Sequence, residues 1–323
     1  MPTDISQPAD TTRRDFLKSA AIGTGALLAN SSALISPAGA ADKKSLEKGF
    51  IDAHSHIWTP DTKGYPLGEG FLKKNMKPAS FTPEQLFSHA KPVGVTRVVL
   101  IQMSFYRFDN SYMLDMMKQH PERFSGVAVI DENDDPKKTM QAMKAKGVRG
   151  FRIRPSGKSA DKWLATDGMQ TMWKTGAEEG LAMCHLINPE SLPGVGRMCR
   201  KYPETPVVID HFARIGVDGT VHKKELDNLV ALAKHKKVKV KVSAYYALGK
   251  KQIPYVDLLP MIRRLTDAYG PERLMWASDC PFQVAEGHDY RHSIDLIRKR
   301  ADFLSKSDRD WILRRTAAET FFA

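Results

Sequence analysis

Four short segments carry the residue types best suited to chemistry. Ile51-Asp52-Ala53-His54-Ser55-His56 repeats polar side chains at every second position. In an extended strand Asp52, His54 and His56 share one face, so both imidazoles can reach one ion. Met183-Cys184-His185, Ile209-Asp210-His211 and Ala277-Ser278-Asp279 each end an apolar run on a histidine or an aspartate. Of ten histidines in the chain, His54, His56, His185 and His211 gather at the ends of such runs. His89, His120, His222, His235, His288 and His292 stand in helical or loop contexts, where a solvated or capping role is the plainer reading. Imidazoles with one carboxylate suit zinc or another borderline divalent ion, and positions left open for water would make the centre catalytic.

The elements that must position these groups are legible from pattern. Apolar, β-branched runs bounded by turn signals predict strands at 50–53, 97–103, 126–130, 148–153, 181–187, 206–209, 238–242 and 274–277. Helical spacing lies between them, around Tyr112 to Met117, Leu226 to Leu232 and Leu258 to Tyr269. Strict alternation of strand and helix, eight times over, predicts an α/β fold, a (β/α)8 TIM barrel. A doubly wound sheet would want a glycine-rich phosphate loop after an early strand, and none is present. In such barrels the chemistry sits at the C-terminal ends of the strands. All four segments end there.

With those residues in view, IDAHSHIW, VVIDHFARIG, KVS and LMWASDCPF resemble the amidohydrolase superfamily, in its amidohydrolase-2 branch. IQMSFYRFDNSYMLD, PERFSGVAVID and GVRGFRIRP are similar to its lactonase-like group, and the resemblance runs from about Ile51 to the C-terminus. It implies a metal-dependent hydrolase, with His54 and His56 on one divalent ion, zinc first, and His185 as a third ligand. It makes Asp279 a ligand and the group that holds or deprotonates the attacking water, with His211 orienting water or polarising the carbonyl. Binuclear relatives carry a bridging lysine at the end of strand four; Arg152 and Arg154 stand there, so one metal is expected rather than two. Some lactonases of the branch use no metal, which leaves the ion open. A non-oxidative decarboxylase of an aromatic or unsaturated carboxylic acid is the alternative on the same site. The tail ILRRTAAETFF has Thr316 where asparagine is usual, with a local structural change expected.

Arg152, Arg154 and Arg214 are candidates to hold a substrate carboxylate or sulfonate through bidentate forks. Ser104 and Tyr106 after strand two, and Tyr245 and Tyr246 after strand seven, are candidates for further hydrogen bonds. Lys239, Lys241 and Ser243 share one strand face. A buried lysine must be paired, so a core ion pair between Lys241 and Asp52 is expected.

Length and composition are those of a globular domain: 323 residues, 42% hydrophobic, 27% charged, with a net charge of +12. Three scattered cysteines exclude a disulfide framework or a paired-cysteine zinc site. No apolar run is long enough to span a membrane permanently. Residues 1–40 read as a cleaved leader: Arg13-Arg14 before Asp15-Phe16-Leu17 resembles a twin-arginine signal, and Ala38-Gly39-Ala40 ends an apolar stretch. That predicts export by the twin-arginine machinery to the periplasm, and a single barrel over 41–323. The leader's charges cancel, so the whole excess belongs to the barrel. Nucleic acid is not expected as a partner, since no recognition motif is present. A small anionic substrate fits the charge better, and the oligomeric state stays open.

Overall fold

The computed structural model describes residues 46, 48–154 and 159–323, so the leader lies outside the described residues. Eight strands form one sheet in chain order: β1 (Phe50–Ser55), β2 (Val95–Ile101), β3 (Phe124–Ala128), β4 (Val148–Ile153), β5 (Ala182–His185), β6 (Val207–Ile209), β7 (Val238–Val242) and β8 (Leu274–Trp276). Every neighbouring pair is parallel. The seam between β1 and β8 closes just past the strand ends. There the His56 N–H donates to the Cys280 carbonyl and the Asp279 N–H to the His54 carbonyl, both at 2.8 Å. The (β/α)8 reading of the sequence holds, with strand limits shifted by a few residues.

Alternation sorts each strand into two faces. Ile51, Ala53, Val99, Ala182, Cys184 and Val208 pack inside the barrel. Met183, Val207 and Ile209, their strand neighbours, pack outward with the helices and the indole rings of Trp163 and Trp173. The helical patterns appear as Ser111–Gln119, Lys223–Ala231 and Leu259–Tyr269. Thr316 is buried and donates its hydroxyl to the Pro271 carbonyl (3.3 Å) at the start of the last helix, Thr316–Phe321. Cys184, Cys199 and Cys280 are free and buried. Among the described residues no helix is long and apolar enough to cross a membrane.

Lys241 does reach the barrel interior, but its partner is Asp210 at 3.0 Å, both fully buried, and not Asp52. The Asp52 carboxylate is taken up by the β1–β8 seam. It accepts from the Ser278 N–H (2.8 Å), the Tyr290 hydroxyl (2.7 Å), the His54 N–H (3.1 Å) and the Ser278 hydroxyl. Burial raises its pKa against those four bonds. Period two placed the lysine on the correct face; it carried no information about which acid faced it.

Candidate active site

The closed seam brings the end of β1 together with Asp279, three residues past β8, and with them the first three functional groups. His54 Nε2, His56 Nε2 and Asp279 Oδ1 stand 3.4 Å apart on each side. Two donors of a tetrahedral ion with bonds of about 2.0–2.1 Å lie roughly 3.3–3.4 Å apart, so the triangle has the edge length zinc requires. It is the one group of this kind among the described residues, and all three side chains are buried. His56 Nδ1 lies 2.8 Å from the Ile101 carbonyl. That carbonyl can only accept, so Nδ1 carries the proton and Nε2 keeps its lone pair for an ion. Two nitrogens and one carboxylate with room beside them fit a catalytic ion.

Asp279 turns its other oxygen the opposite way. Oδ2 accepts from the Tyr246 hydroxyl at 2.7 Å and lies 3.7 Å from His211 Nε2. Burial works to raise the Asp279 pKa; the neighbouring His211, His56 and His54 hold it below the usual carboxylate range, and the Tyr246 hydroxyl donated to Oδ2 favours the ionised form even where those imidazoles are neutral. It is therefore ionised at neutral pH. His211 Nδ1 lies 2.8 Å from the Ser243 hydroxyl, whose own proton goes to the Lys241 carbonyl. Ser243 thus accepts from His211, leaving His211 Nε2 as an acceptor facing Asp279. Burial keeps His211 neutral by lowering its pKa, against the pull of Asp279 and Asp210.

Backbone strain collects at the same strand ends. His211, Phe212, Ala213 and Arg214 all have φ between 50° and 61°, and Ala244 and Asp279 have 57° and 64°. Each such non-glycine residue costs on the order of 1–3 kcal/mol, and such residues cluster where geometry serves function.

The sequence candidates divide as follows. Arg152 points inward from β4 and places Nη1 3.3 Å from His54 Nε2. Arg154 and Ser104 line a pocket of about 500 Å³ that opens beside His56 and Arg152, walled by Phe71, Phe108 and Phe282. Partial burial and the Arg152 charge lower the Arg154 pKa from its usual value. His185 is not brought to the triangle. It follows Met183 on the outer face of β5, and its ring packs against Trp173 (centroids 5.4 Å apart) and Trp163 (6.2 Å) with neither nitrogen hydrogen-bonded. The resemblance implied a third ligand here; Cys184, one residue earlier, holds the inward place. Arg214 is exposed and donates to Asn188 (3.0 Å), away from the pocket lining. Tyr106 is buried with its oxygen accepting from the Thr59 N–H, and Tyr245 is buried with its hydroxyl on the Val242 carbonyl; both are packing residues. Tyr246 is the tyrosine at the site.

Arg107, Ser243, Asp210 and Phe282 join the site without having been singled out for it. Ser243 was readable, two residues beyond Lys241 on the inward face. Asp210 was readable too, directly after β6, whereas Arg107 and Phe282 needed the loops.

A family model described as amidohydrolase matches residues 51–323. The chain belongs to the amidohydrolase family. Among curated amidohydrolase relatives, 4-sulfomuconolactone hydrolase of Rhizobium radiobacter is 26% identical over 242 residues, covering 73% of this chain and 77% of its own. A solved structure of a probable 2-pyrone-4,6-dicarboxylic acid hydrolase from Acinetobacter baumannii, with citric acid bound, superposes with a TM-score of 0.73 at 23% identity. It covers 85% of this chain and all of its own. An amidohydrolase from Burkholderia multivorans with bound zinc gives 0.68 at 18% identity, over 84% and 99% of the two chains.

Proposed function

We propose that this amidohydrolase opens an anionic lactone or related cyclic ester by hydrolysis, with one divalent ion, zinc, held by His54, His56 and Asp279. The observation that carries the reading is the 3.4 Å donor triangle beside an arginine-lined pocket. An ion bound there supplies Lewis acidity and lowers the pKa of water toward neutrality. The residues do the rest. Asp279, ionised and held by Tyr246, takes a proton from the attacking water as its oxygen bonds to the acyl carbon. The ring C–O bond then breaks, and Asp279 returns the proton to the leaving oxygen. His211 offers Nε2 as an acceptor to the second hydrogen of that water. Arg152 and Arg154 bind the substrate's acidic group, and Phe282 and Phe71 exclude water from one side. The relatives named for lactone hydrolysis support the reaction class. The twin-arginine-like leader supports export to the periplasm, with the barrel taking up its ion before transport.

The test is direct. Purified protein is assayed for bound metal and for proton release on a panel of carboxylated and sulfonated lactones, beside Asp279→Asn. One equivalent of zinc and a loss of turnover of at least about 100-fold in the variant are expected. Unchanged turnover would end the proposal, and release of carbon dioxide without proton release would make the enzyme a carboxy-lyase.

A further inference from the structure

The last four residues of the chain meet four cations of the barrel strands. Thr320 accepts from the Lys239 ammonium at 2.8 Å, and an Ala323 oxygen accepts from Arg149 Nε at 3.2 Å. The Phe321 ring faces the Lys241 ammonium and the Phe322 ring the Arg97 guanidinium, at 5.5 Å and 4.9 Å from the ring centroids. These cations stand on β2, β4 and β7, so the tail closes the strand-start end of the barrel, opposite the catalytic pocket. Three of the contacts lie at its rim, where Lys239, Arg97 and Arg149 are part-buried. The fourth is sealed. Lys241 and Phe321 are both buried, and the ring packs with Ile51, Val99, Val127 and Met275 inside the strands.

An ammonium carries three N–H donors. From the strand-end side, Lys241 Nζ meets Asp210 Oδ1 at 3.0 Å and His54 Nδ1 at 3.2 Å. From the strand-start side it meets the π face of Phe321. Such a face within about 6 Å attracts a cation, most strongly where water is excluded. The ring therefore draws the ammonium away from His54, and that separation matters to the triangle. An ammonium pressed on His54 Nδ1 demands a lone pair there and puts the proton on Nε2, the nitrogen that would ligate. With the ammonium drawn toward the tail, Nδ1 can give its proton to the Asp210 carboxylate at 3.5 Å, and Nε2 keeps its lone pair.

We infer that Phe321 is a positioning residue for the metal centre, holding the Lys241 ammonium toward the barrel floor so that His54 is free to ligate through Nε2. Phe321 touches neither the triangle nor the pocket and acts through Lys241 alone. The inference rests on the triangle being a zinc site, and it deepens that reading by carrying the support of the ion to the end of the chain. Phe322 supplies the internal comparison: it is the next ring of the same tail, and its cation has no part in the triangle.

Phe321→Leu and Phe322→Leu, made in the full chain, test it without turnover. Zinc affinity is measured by competition with a chromophoric chelator. The tautomer of His54 is read in the zinc-free protein by nitrogen-15 NMR after labelling of the histidines. Phe321→Leu should weaken zinc binding about 3- to 30-fold, the span of a cation–π contact, and shift His54 toward the form protonated on Nε2. Phe322→Leu, which takes the same kind of contact from Arg97, should change zinc affinity less than about twofold and leave the tautomer as in the wild type. Phe321→Met, which fills the space flexibly but has no π face, is read in the same way if the leucine variant does not fold. Zinc affinity or tautomer unchanged in the Phe321 variant, or equal losses in the Phe321 and Phe322 variants, would each overturn the inference. The lactonase reading fails by a different result, absent ring opening by a protein that holds its zinc, so the two are separable.

Discussion

His185→Leu separates a core histidine from a metal ligand. Burial pulls the His185 pKa down to about 4, with only the Asp210 charge pulling the other way. In the unfolded chain the ordinary value is about 6.5. The folded value lies lower, so the folded protein binds fewer protons than the unfolded chain as pH falls below 6.5. Stability is complete above that pH and drains as the unfolded imidazole takes up its proton, until the folded one does so near 4. The gap of roughly 2.5 units corresponds to about 3 kcal/mol, lost at about 1.4 kcal/mol per pH unit. His185→Leu removes that drain together with two buried nitrogens that lack partners, so at pH 8 it should be neutral or slightly stabilising. Urea unfolding of both proteins from pH 8 to pH 4.5 measures it. The variant should gain on wild type by about 2 kcal/mol between pH 8 and pH 5, with bound zinc unchanged. Parallel pH profiles, or loss of zinc from the variant, would refute the reasoning and return His185 to the metal.

Lys241→Met should destabilise the barrel by about 3–5 kcal/mol, because it leaves Asp210 charged and fully buried; urea midpoints measure it, and Lys241→Met with Asp210→Leu should recover most of the loss. Tyr246→Phe removes the one hydroxyl bonded to Asp279 Oδ2 and should lower kcat about 10-fold with KM little changed, read by steady-state kinetics on the ring-opening substrate. Dialysis against a chelator should abolish turnover, and added zinc should restore it while magnesium does not, since two imidazoles suit the borderline ion.

The barrel was legible because its signal is repeated: eight apolar runs with helical spacing between them leave few alternatives, and β4 and β7 match their expected limits to the residue. The site was legible where period two acts within one strand, as for His54 and His56. It was also legible where a residue stands just past a strand at the seam, as Asp279 does, three residues beyond Trp276. It failed one step from such a residue. His185 and Cys184 are neighbours on β5, and which faces inward depends on the register of the barrel. Tyr245 and Tyr246 repeat the lesson after β7: Tyr245 is buried on its own strand's carbonyl, while Tyr246 reaches Asp279. Arg107 was illegible for another reason. Its stem lies against Gly68, 39 positions earlier, and no local pattern links the two.

The ion pair beneath the triangle raises a different question, because a buried pair is weak evidence for stability and an apolar replacement of both partners is often no worse. Its position gives a better reason. His54 Nδ1 has the Lys241 ammonium at 3.2 Å and the Asp210 carboxylate at 3.5 Å, a donor and an acceptor side by side. Burial, with the Lys241 charge, keeps His54 neutral, so one of its nitrogens carries the proton. With the proton on Nε2, His54 donates to Asp279 Oδ1 and Nδ1 accepts from Lys241. With the proton on Nδ1, Asp210 accepts it and Nε2 presents its lone pair to a cation or to Arg152. A lone lysine beneath His54 would lock the first form, and the ion could not be held. A lone aspartate would lock the second but leave a charge buried without compensation. The pair supports both, and a cation in the triangle then selects the ligating form.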